Sequence, residues 1–580
     1  MSRASKVQAL GNSSAQAIMG DSRLTQSYVH GKGDSLLAGV TIGGVLDNAA
    51  GRWPEREALV AREQGIRWTW QELRVQARTL AAGLLAVGLE PGDRIGILAT
   101  NRSEWLVTQF GTAYAGLVLV NINPGYRPSE LEYALNKVGC RALITETHIK
   151  SSDYLSMLQT LAPELAAAEP GDIHAAKLPE LRLIIQLGRS EVPGMLSFDA
   201  VERSVDVASR RRLETIAAEL DFDAPINIQF TSGTTGAPKA ATLTHHNIVN
   251  NAAMSARIMN LTHNDRLCVP VPMYHCFGMV LGTLLCATCG AAIVFPSAGF
   301  DASVTLDAIE SELCTAIHGV PTMFIAMLDE PEFNRRDLRS LRTGIMAGAP
   351  CPVELMQRVI DDMHMAEITI GYGMTETGPL ATQTLPDDPV DLRVGTVGRA
   401  MPHVEIKVID DHGRIVAPGA AGELCVRGYN VMRGYWGDPE RTSEDIDAAH
   451  WMRSGDIATL DETGYVRIVG RKKDMLIRGG ENIYPREIED FLYQNPKIDQ
   501  VEVVGVPDPK FGEEIAACVR LREGATATTE EIRDSCRGEL AHFKIPRYVR
   551  FVDDFPMTVT GKVKKFVLRE RLIEELGLAK

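Results

Sequence analysis

The sequence predicts an α/β protein in unequal parts: a large N-terminal domain of parallel α/β layers plus a small β region, then a small α+β C-terminal domain. Three observations lead there. Strand-like apolar runs alternate with helix-like stretches over most of the chain, the pattern of largely parallel sheets. After about Asp410 the texture changes to short strands separated by turns. Near Lys472-Lys473 a basic cluster and a Gly-Gly turn open a last stretch of about a hundred residues, an ordinary size for a compact domain.

In chain order, "RIGILAT", "LVLVNINP", "ALITET", "LRLIIQL" and "NIQF" read as strands. "SEWLVTQFGTAYAG" and "THHNIVNNAAMSARIM" read as helices. The second has Thr244 as N-cap and Ile248, Ala252, Ser255 and Met259 on one face. "AAIVF", "TAIHGV", "TGIMAG" and "EITIGYG" continue the alternation. The stretch Phe277 to Phe295 holds no charge and is long enough to span a bilayer. Its glycines, Gly282 and Gly290, and its lack of flanking basic clusters make it a buried helix breaking into a strand. "AGELCVRG" and "GYVRIVG", with the turns "DDHG" and "DETG", read as an antiparallel region. A helix opened by Pro485 follows, then the strands "VEVVGV", "AACVRL" and "RYVRFV" with helices between them. The expected division is a tail at 1–26, a large domain at 27–472 and a small domain at 473–580.

The 580 residues carry a formal net charge of -15, which disfavours bulk nucleic-acid binding, so small anionic ligands must be met by local positive groups. Ten cysteines without disulfide-like spacing suit a reducing compartment, and the CxxC of Cys286 and Cys289 has apolar flanks that mark core residues. The first 26 residues are polar, Ser-rich and poor in acids. As a disordered tail they leave the chain in the cytoplasm; as a transit peptide they would address it to the mitochondrial matrix. They contain no apolar core of a secretion signal.

The chemistry concentrates in a few motifs. In "QFTSGTTGAPKAATLTHHNI", Thr231, Ser232, Thr234 and Thr235 offer hydroxyls, Gly233 and Gly236 let backbone N–H groups approach an anion, and Lys239 supplies charge. A strand before and a helix after match phosphate-binding geometry, although the spacing is not that of the common P-loop. In "GYGMTETG", at the end of a predicted strand, Tyr372 offers a flat face for a base, Thr375 a donor to phosphate and Glu376 an oxygen ligand for Mg²⁺. In "RSGDIATLDETGYVRIVGRKKD", Asp456 can accept from both ribose hydroxyls and Arg471 can reach ribose or phosphate. In "FPMTVTGKVKK", Lys562 sits in a glycine turn, while Lys564 and Lys565 read as a solvated face. Each motif alone also fits an ordinary turn.

The set in its order, "TSGTTGAPK", "YGMTE", "SGD", "GRKKDMLIRGGENI" and "TGK", resembles the adenylate-forming (AMP-binding) superfamily from about Ser27 to Lys565. "SYVHG" and "LVNINPGYRPSELEYALNKVGCRALI" look most like its acyl-CoA synthetase branch, in particular a medium-chain fatty-acid–CoA ligase subgroup. The resemblance implies a reaction in two steps. A carboxylate attacks the ATP α-phosphate to give acyl-AMP and pyrophosphate; the coenzyme A thiol then takes the acyl group and AMP leaves. It implies that Lys562 bridges carboxylate and α-phosphate, and that the loop from Thr231 to Lys239 holds the outer phosphates. Glu376 would bind Mg²⁺ and Thr375 touch the α-phosphate. Gly348, Ala349, Pro350 and Tyr372 would line the adenine, and Asp456 and Arg471 hold the ribose. His275 would lie near the acyl carboxylate. Lys473 matches the hinge about which the small domain rotates between the steps, carrying Gly479, Gly480 and Glu481 to the coenzyme A tunnel.

"HGVPTMF", Met279 and Val280 are apolar or small, which favours an aliphatic acid over an amino acid. The expected activity is therefore ATP-dependent acid–thiol ligation of a fatty acid, with Mg²⁺, ATP and coenzyme A. The sequence implies no nucleic-acid partner and no transmembrane segment, and leaves a homodimer open. The alternatives are a free-standing loader of a carrier-protein thiol, a ligase for an aryl or terpenoid acid, and an inactive acyl or nucleotide sensor, which the intact Lys239, Glu376, Asp456 and Lys562 disfavour.

Overall fold

The apolar runs fold into two large, mainly parallel sheets followed by two smaller ones, in a computed structural model that describes residues 23–149, 152–188, 192–231, 238–349, 351–557 and 563–578. In the first sheet Arg94–Leu98 lies between Cys140–Thr145 and Val118–Asn121, and Val118–Asn121 runs parallel to Pro225–Thr231. In the second, Glu57–Ala61, Ala292–Phe295, Arg266–Cys268, Ala316–Gly319, Thr343–Ala347 and Glu367–Gly373 lie side by side in parallel. Strands covered on both faces must be apolar throughout, which is why "AIVF" carries no polar alternation.

Helices fill the space between these sheets. Trp70 and Leu73 of Trp70–Ala86 and Trp105 and Phe110 of Ser103–Tyr114 share one core with Ile95 and Ile97 of the first sheet and Leu267 and Ile293 of the second. Truncating a fully buried leucine such as Leu73 would cost about 2–5 kcal/mol. Pro128–Val138 and Tyr154–Leu161 cover the outer face of the first sheet; Ala302–Ser311 and Val353–Asp362 cover that of the second. Helix His245–Ile258 starts as its sequence predicts. Thr244 accepts from the Asn247 N–H while Asn247 accepts from the Thr244 N–H, and Ile248, Ala252, Ser255 and Met259 are buried.

The uncharged stretch after His275 is interior. It runs as a short α-turn, a π-helix at Met279–Leu284 and an α-helix at Leu285–Cys289, and ends at Gly290 with φ +81°, before strand Ala292–Phe295. A π-helix leaves carbonyls out of the i→i+4 ladder. The Met279 carbonyl accepts instead from Gln109 Nε2 (3.1 Å) and Thr283 Oγ1 (2.7 Å). Among the described residues no helix is long and apolar enough to cross a membrane. Cys286 is buried in the core, as expected, whereas Cys289 is only partly buried against it; desolvation pushes the Cys286 thiol well up and that of Cys289 to about 12.

Downstream, Val404–Ile409, Gly422–Gly428, Met452–Leu460 and Val466–Arg471 form the expected antiparallel region, with Tyr28–His30 added along its edge. Residues 23–26, grouped with the tail on sequence, are tied to this sheet: Leu24 N donates to the Glu462 carbonyl (2.9 Å) and Arg23 pairs with the Glu462 carboxylate (3.3 Å). Residues 1–22 lie outside the described residues.

The next sheet begins at Leu476 and pairs Leu476–Arg478 with Glu481–Ile483 and with Gly512–Leu521. Two sequence expectations need correction here. Ile498–Asp508 and Gly512–Leu521 are antiparallel neighbours joined by a tight turn with no helix between them; the helix Thr529–Ser535 precedes only the parallel strand Tyr548–Phe551. Asp508 forms that turn by accepting from the Lys510 and Phe511 N–H groups, a local bond that strand patterning does not reveal. Lys565 is not solvated. Its ammonium lies 2.5 Å from Glu489 and 3.4 Å from Glu502, both largely buried, whereas Lys564 is exposed.

Candidate active site

Thr231 ends one strand and Lys239 begins the next, and the two face each other in register across an antiparallel pair. This corrects the strand–loop–helix expectation: a whole strand, Lys239–Thr244, separates the loop from helix His245–Ile258. Thr242 and Thr244 suit an extended backbone, and Thr244 reserves the helix start for itself. Lys239 is therefore fixed by sheet register rather than set at a helix N-terminus. Ser232, Gly233, Thr234, Thr235 and Gly236 lie outside the described residues, as do Pro350 and Lys562.

Glu376 comes to the base of this hairpin. Strand Glu367–Gly373 leads into the single turn Thr375–Thr377, which buries Glu376 to 3% exposure. Its Oε1 accepts from Thr231 Oγ1 at 2.9 Å, and lies 3.1 Å from Tyr435 Oη and 3.9 Å from Lys239 Nζ. Lys239 Nζ donates to Tyr435 Oη (2.6 Å) and to Asp445 Oδ2 (3.0 Å). Burial and the two neighbouring carboxylates push the Tyr435 phenol far up, so it stays protonated and donates. Thr375 is buried beside Glu376, with Oγ1 3.7 Å from the sulfur of Cys276. His275 caps the short turn after it, its Nδ1 accepting from the Phe277 N–H at 3.1 Å.

A second cluster forms at the end of the antiparallel sheet. Asp456 and Arg471 are cross-strand partners. The Asp456 carboxylate accepts from Arg471 Nε at 3.0 Å through one oxygen and from Tyr372 Oη at 2.6 Å through the other. Gly455, at φ +71°, turns the chain there, and Ser454 Oγ accepts from the Asp456 N–H at 3.1 Å. Burial, then the Asp456 charge, holds the Tyr372 phenol well above its ordinary range. Each carboxylate oxygen retains a lone pair, enough for a vicinal diol. Gly348, at φ +87°, and exposed Ala349 follow strand Thr343–Ala347, beside the strand that carries Tyr372.

Lys473 sits in the turn Lys472–Asp474 that leads from this sheet to the next. Desolvation, then the Arg471 charge, lowers its pKa, and Lys239 contributes in the same direction. Gly479 (φ +61°) and Gly480 (φ +92°) form the two-residue turn between Leu476–Arg478 and Glu481–Ile483, a turn that requires positive φ at both positions. This turn bonds to its own sheet, Gly479 N donating to the Phe511 carbonyl at 2.8 Å.

The arrangement unites Lys239, the buried Glu376 carboxylate and the hydroxyls of Thr231 and Tyr435 in one cluster, with the Asp456 carboxylate held on an adjoining sheet. The profile of the AMP-binding enzyme family matches residues 46–436, more than half of the chain. The chain belongs to the AMP-binding enzyme family. The profile of the AMP-binding enzyme C-terminal domain matches residues 487–562. This AMP-binding enzyme is 47% identical over 558 residues to the medium-chain acyl-CoA ligase ACSF2, mitochondrial, of Danio rerio, spanning 96% of this chain and 92% of that protein. It is 42% identical over 560 residues to the Homo sapiens protein of the same name (95% and 91%), and 48% identical over 540 residues to YngI of Bacillus subtilis (strain 168) (93% and 98%). Its fold matches the crystal structure of the anthranilate CoA ligase AuaEII in complex with anthranoyl-AMP with a TM-score of 0.82 at 26% identity, covering 94% of this chain and 99% of that one.

Two site residues, Tyr435 and Asp445, were not singled out on sequence. Tyr435 belongs to a two-residue edge strand, Gly434–Tyr435, and Asp445 ends the short helix Pro439–Asp445. Neither carries a local signal, because each acquires its role only where strand Lys239–Thr244 pairs with Gly434–Tyr435. Sequence reasoning also missed a buried amide ladder behind Met279: Asn227 Nδ2 donates to Asn121 Oδ1 and Gln229 Nε2 to Asn227 Oδ1, each at 2.9 Å.

Proposed function

We propose that this AMP-binding enzyme is an ATP-dependent, AMP-forming acyl-CoA ligase acting on a medium-chain fatty acid. The observation that carries the reading is the convergence of the Thr231–Lys239 hairpin and the Glu376 turn on one carboxylate oxygen, 2.9 Å from a hydroxyl and 3.9 Å from an ammonium. That combination suits a triphosphate with a hard cation better than any uncharged ligand.

In the first step a carboxylate oxygen of the acid forms a bond to the ATP α-phosphorus, and the bond from that phosphorus to the bridging oxygen of pyrophosphate breaks. Two anions meet, so fixed positive charge must lie where negative charge accumulates. Lys562 takes that position at the reacting oxygens, Lys239 and the hydroxyls of its loop grip the departing pyrophosphate, and Thr375 donates to the α-phosphate. Asp456 and Arg471 hold the ribose, Tyr372, Gly348, Ala349 and Pro350 frame the adenine, and His275 orients the acid. In the second step the coenzyme A thiolate attacks the acyl carbon and AMP leaves with the bonding pair. The turn Gly479-Gly480-Glu481 reaches the site by rotation about Lys473, and its small residues leave room for a slender chain.

Mg²⁺ fits the donors present. The Glu376 carboxylate beside the Thr231 hydroxyl is a hard oxygen set. Among the described residues no group of three or more His, Cys, Asp or Glu could hold a metal ion without substrate. Mg²⁺ is commonly held by one or two carboxylates together with substrate phosphates. Bound at Glu376 it would supply positive charge to the phosphates.

An aliphatic substrate is supported by the apolar side chains of Met279 and Val280, both buried, and by the names of the ACSF2 relatives. The cytoplasm is the expected location; those relatives are named mitochondrial, which makes the matrix the alternative. The test is a panel of saturated acids from C2 to C18, with aryl and terpenoid acids, in the presence of ATP, Mg²⁺ and coenzyme A. Pyrophosphate release should peak at medium chain length; a peak at an aryl acid would overturn the substrate assignment.

A further inference from the structure

The lysine that grips pyrophosphate already has a carboxylate of its own. Asp445 Oδ2 lies 3.0 Å from Lys239 Nζ and 2.8 Å from Tyr435 Oη. The Lys239 ammonium is 4.4 Å from the Tyr435 ring centroid and donates to its hydroxyl at 2.6 Å. Tyr435 has one proton to give and two carboxylates within reach, Asp445 at 2.8 Å and Glu376 at 3.1 Å. Giving it to the nearer Asp445 leaves the Glu376 oxygen to Thr231 and to a cation. Arg441, on the same short helix, lies 3.6 Å from the other Asp445 oxygen and donates to Glu444 at 2.5 Å.

We propose that Asp445 is a positioning residue that draws the Lys239 ammonium toward Tyr435 and competes with pyrophosphate for it, so that the first product is released. The inference rests on the assignment of the Lys239 loop to pyrophosphate. A phosphate oxygen reaching Lys239 must share the ammonium with Asp445, and the two anions repel. The pair is about four-fifths buried, Lys239 at 18% and Asp445 at 22% side-chain exposure, so solvent screens it only in part. Removing the charge should tighten the grip on pyrophosphate and slow its departure.

The experiment is calorimetric titration of pyrophosphate into the full chain, with and without Mg²⁺, for the wild type, Asp445→Asn, Asp445→Ser, Asp445→Glu and Lys239→Ala. Both charge-removing variants should bind pyrophosphate roughly 3- to 10-fold more tightly, and Asp445→Glu should restore wild-type affinity. In steady state they should show lower kcat with a lower KM for ATP. In a Lys239→Ala background Asp445→Asn should tighten binding less than it does with Lys239 present, since only the direct repulsion between the two anions is left to relieve; an equal effect in both backgrounds would overturn the inference. If Lys239→Ala weakens binding but both charge-removing variants bind as wild type or more weakly, the inference on Asp445 is overturned while the loop assignment stands. If Lys239→Ala leaves pyrophosphate binding unchanged, the loop assignment itself fails.

Discussion

Asp456 and Arg471 face each other across an antiparallel pair of strands, and the Arg471 Nε–H donates to Asp456 Oδ1 at 3.0 Å. The other carboxylate oxygen is held by Tyr372 from a different sheet. One buried carboxylate thus joins the parallel core to the antiparallel region next to the turn that carries Lys473.

Both Asp456 oxygens are fixed by Tyr372 and Arg471, and the proposed ribose role makes a prediction. Asp456→Ala should raise the KM for ATP by roughly 10- to 100-fold, the loss of about 1.5–3 kcal/mol in charge-assisted hydrogen bonds. Calorimetry with AMP should show the same loss. Arg471→Lys should not rescue binding well, since a lysine does not reproduce the guanidinium geometry at Asp456. AMP affinity equal to wild type in Asp456→Ala would remove the ribose role.

Glu376→Gln keeps the acceptor toward Thr231 but removes the charge. Pyrophosphate release should fall by roughly 100-fold or more, and the Mg²⁺ concentration for half-maximal rate should rise. Chelation of Mg²⁺ should stop turnover in the wild type and leave the thermal unfolding midpoint unchanged, because no fold element depends on a metal in this assignment.

Lys562→Ala separates the half-reactions. Acyl-AMP formation should fall by roughly 100-fold or more, while thioester formation from synthetic acyl-AMP and coenzyme A should fall much less. Equal losses in both would contradict the role given to Lys562.

Stability should depend on two buried histidines. Burial lowers His318 and His245 from 6.5 to about 4. The unfolded chain then binds protons that the folded chain refuses, so stability is complete above about pH 6.5 and is lost as pH falls toward 4. Each group contributes up to about 3 kcal/mol over that window. His318 Nδ1 accepts from the Ile345 N–H at 3.1 Å and Nε2 contacts the Leu281 carbonyl at 3.0 Å. His318→Asn should retain the first bond, lower stability at pH 7 and flatten the acid limb of the unfolding midpoint. An unchanged limb would show that His318 is not the titrating group.

The parallel core was legible because strands covered on both sides must be apolar and helices between them periodic: "TGIMA" and the Thr244-capped helix needed no tertiary information. Glu376, Asp456 and Lys239 stand out in the sequence because charged residues among glycines and hydroxyls are unusual, and the structure brings Lys239 within 3.9 Å of Glu376 and Tyr372 onto Asp456. Pairings across long separations were not. Asp445 lies 206 residues from Lys239, and nothing in "PERTSED" distinguishes it from a surface acid. Lys565 was misread because its partners Glu489 and Glu502 lie far back in the chain. The strand between the phosphate loop and its helix was missed because "KAATLT" has little apolar bulk and becomes a strand by pairing on both sides.

The central claim is tested most directly by the products. The enzyme should be incubated with ATP, Mg²⁺, coenzyme A and octanoate, and the nucleotides and thioesters quantified together. Equal amounts of AMP, pyrophosphate and octanoyl-CoA are predicted, with AMP formation slowed when coenzyme A is omitted. Formation of ADP and phosphate, or of AMP without thioester while coenzyme A is present, would contradict it.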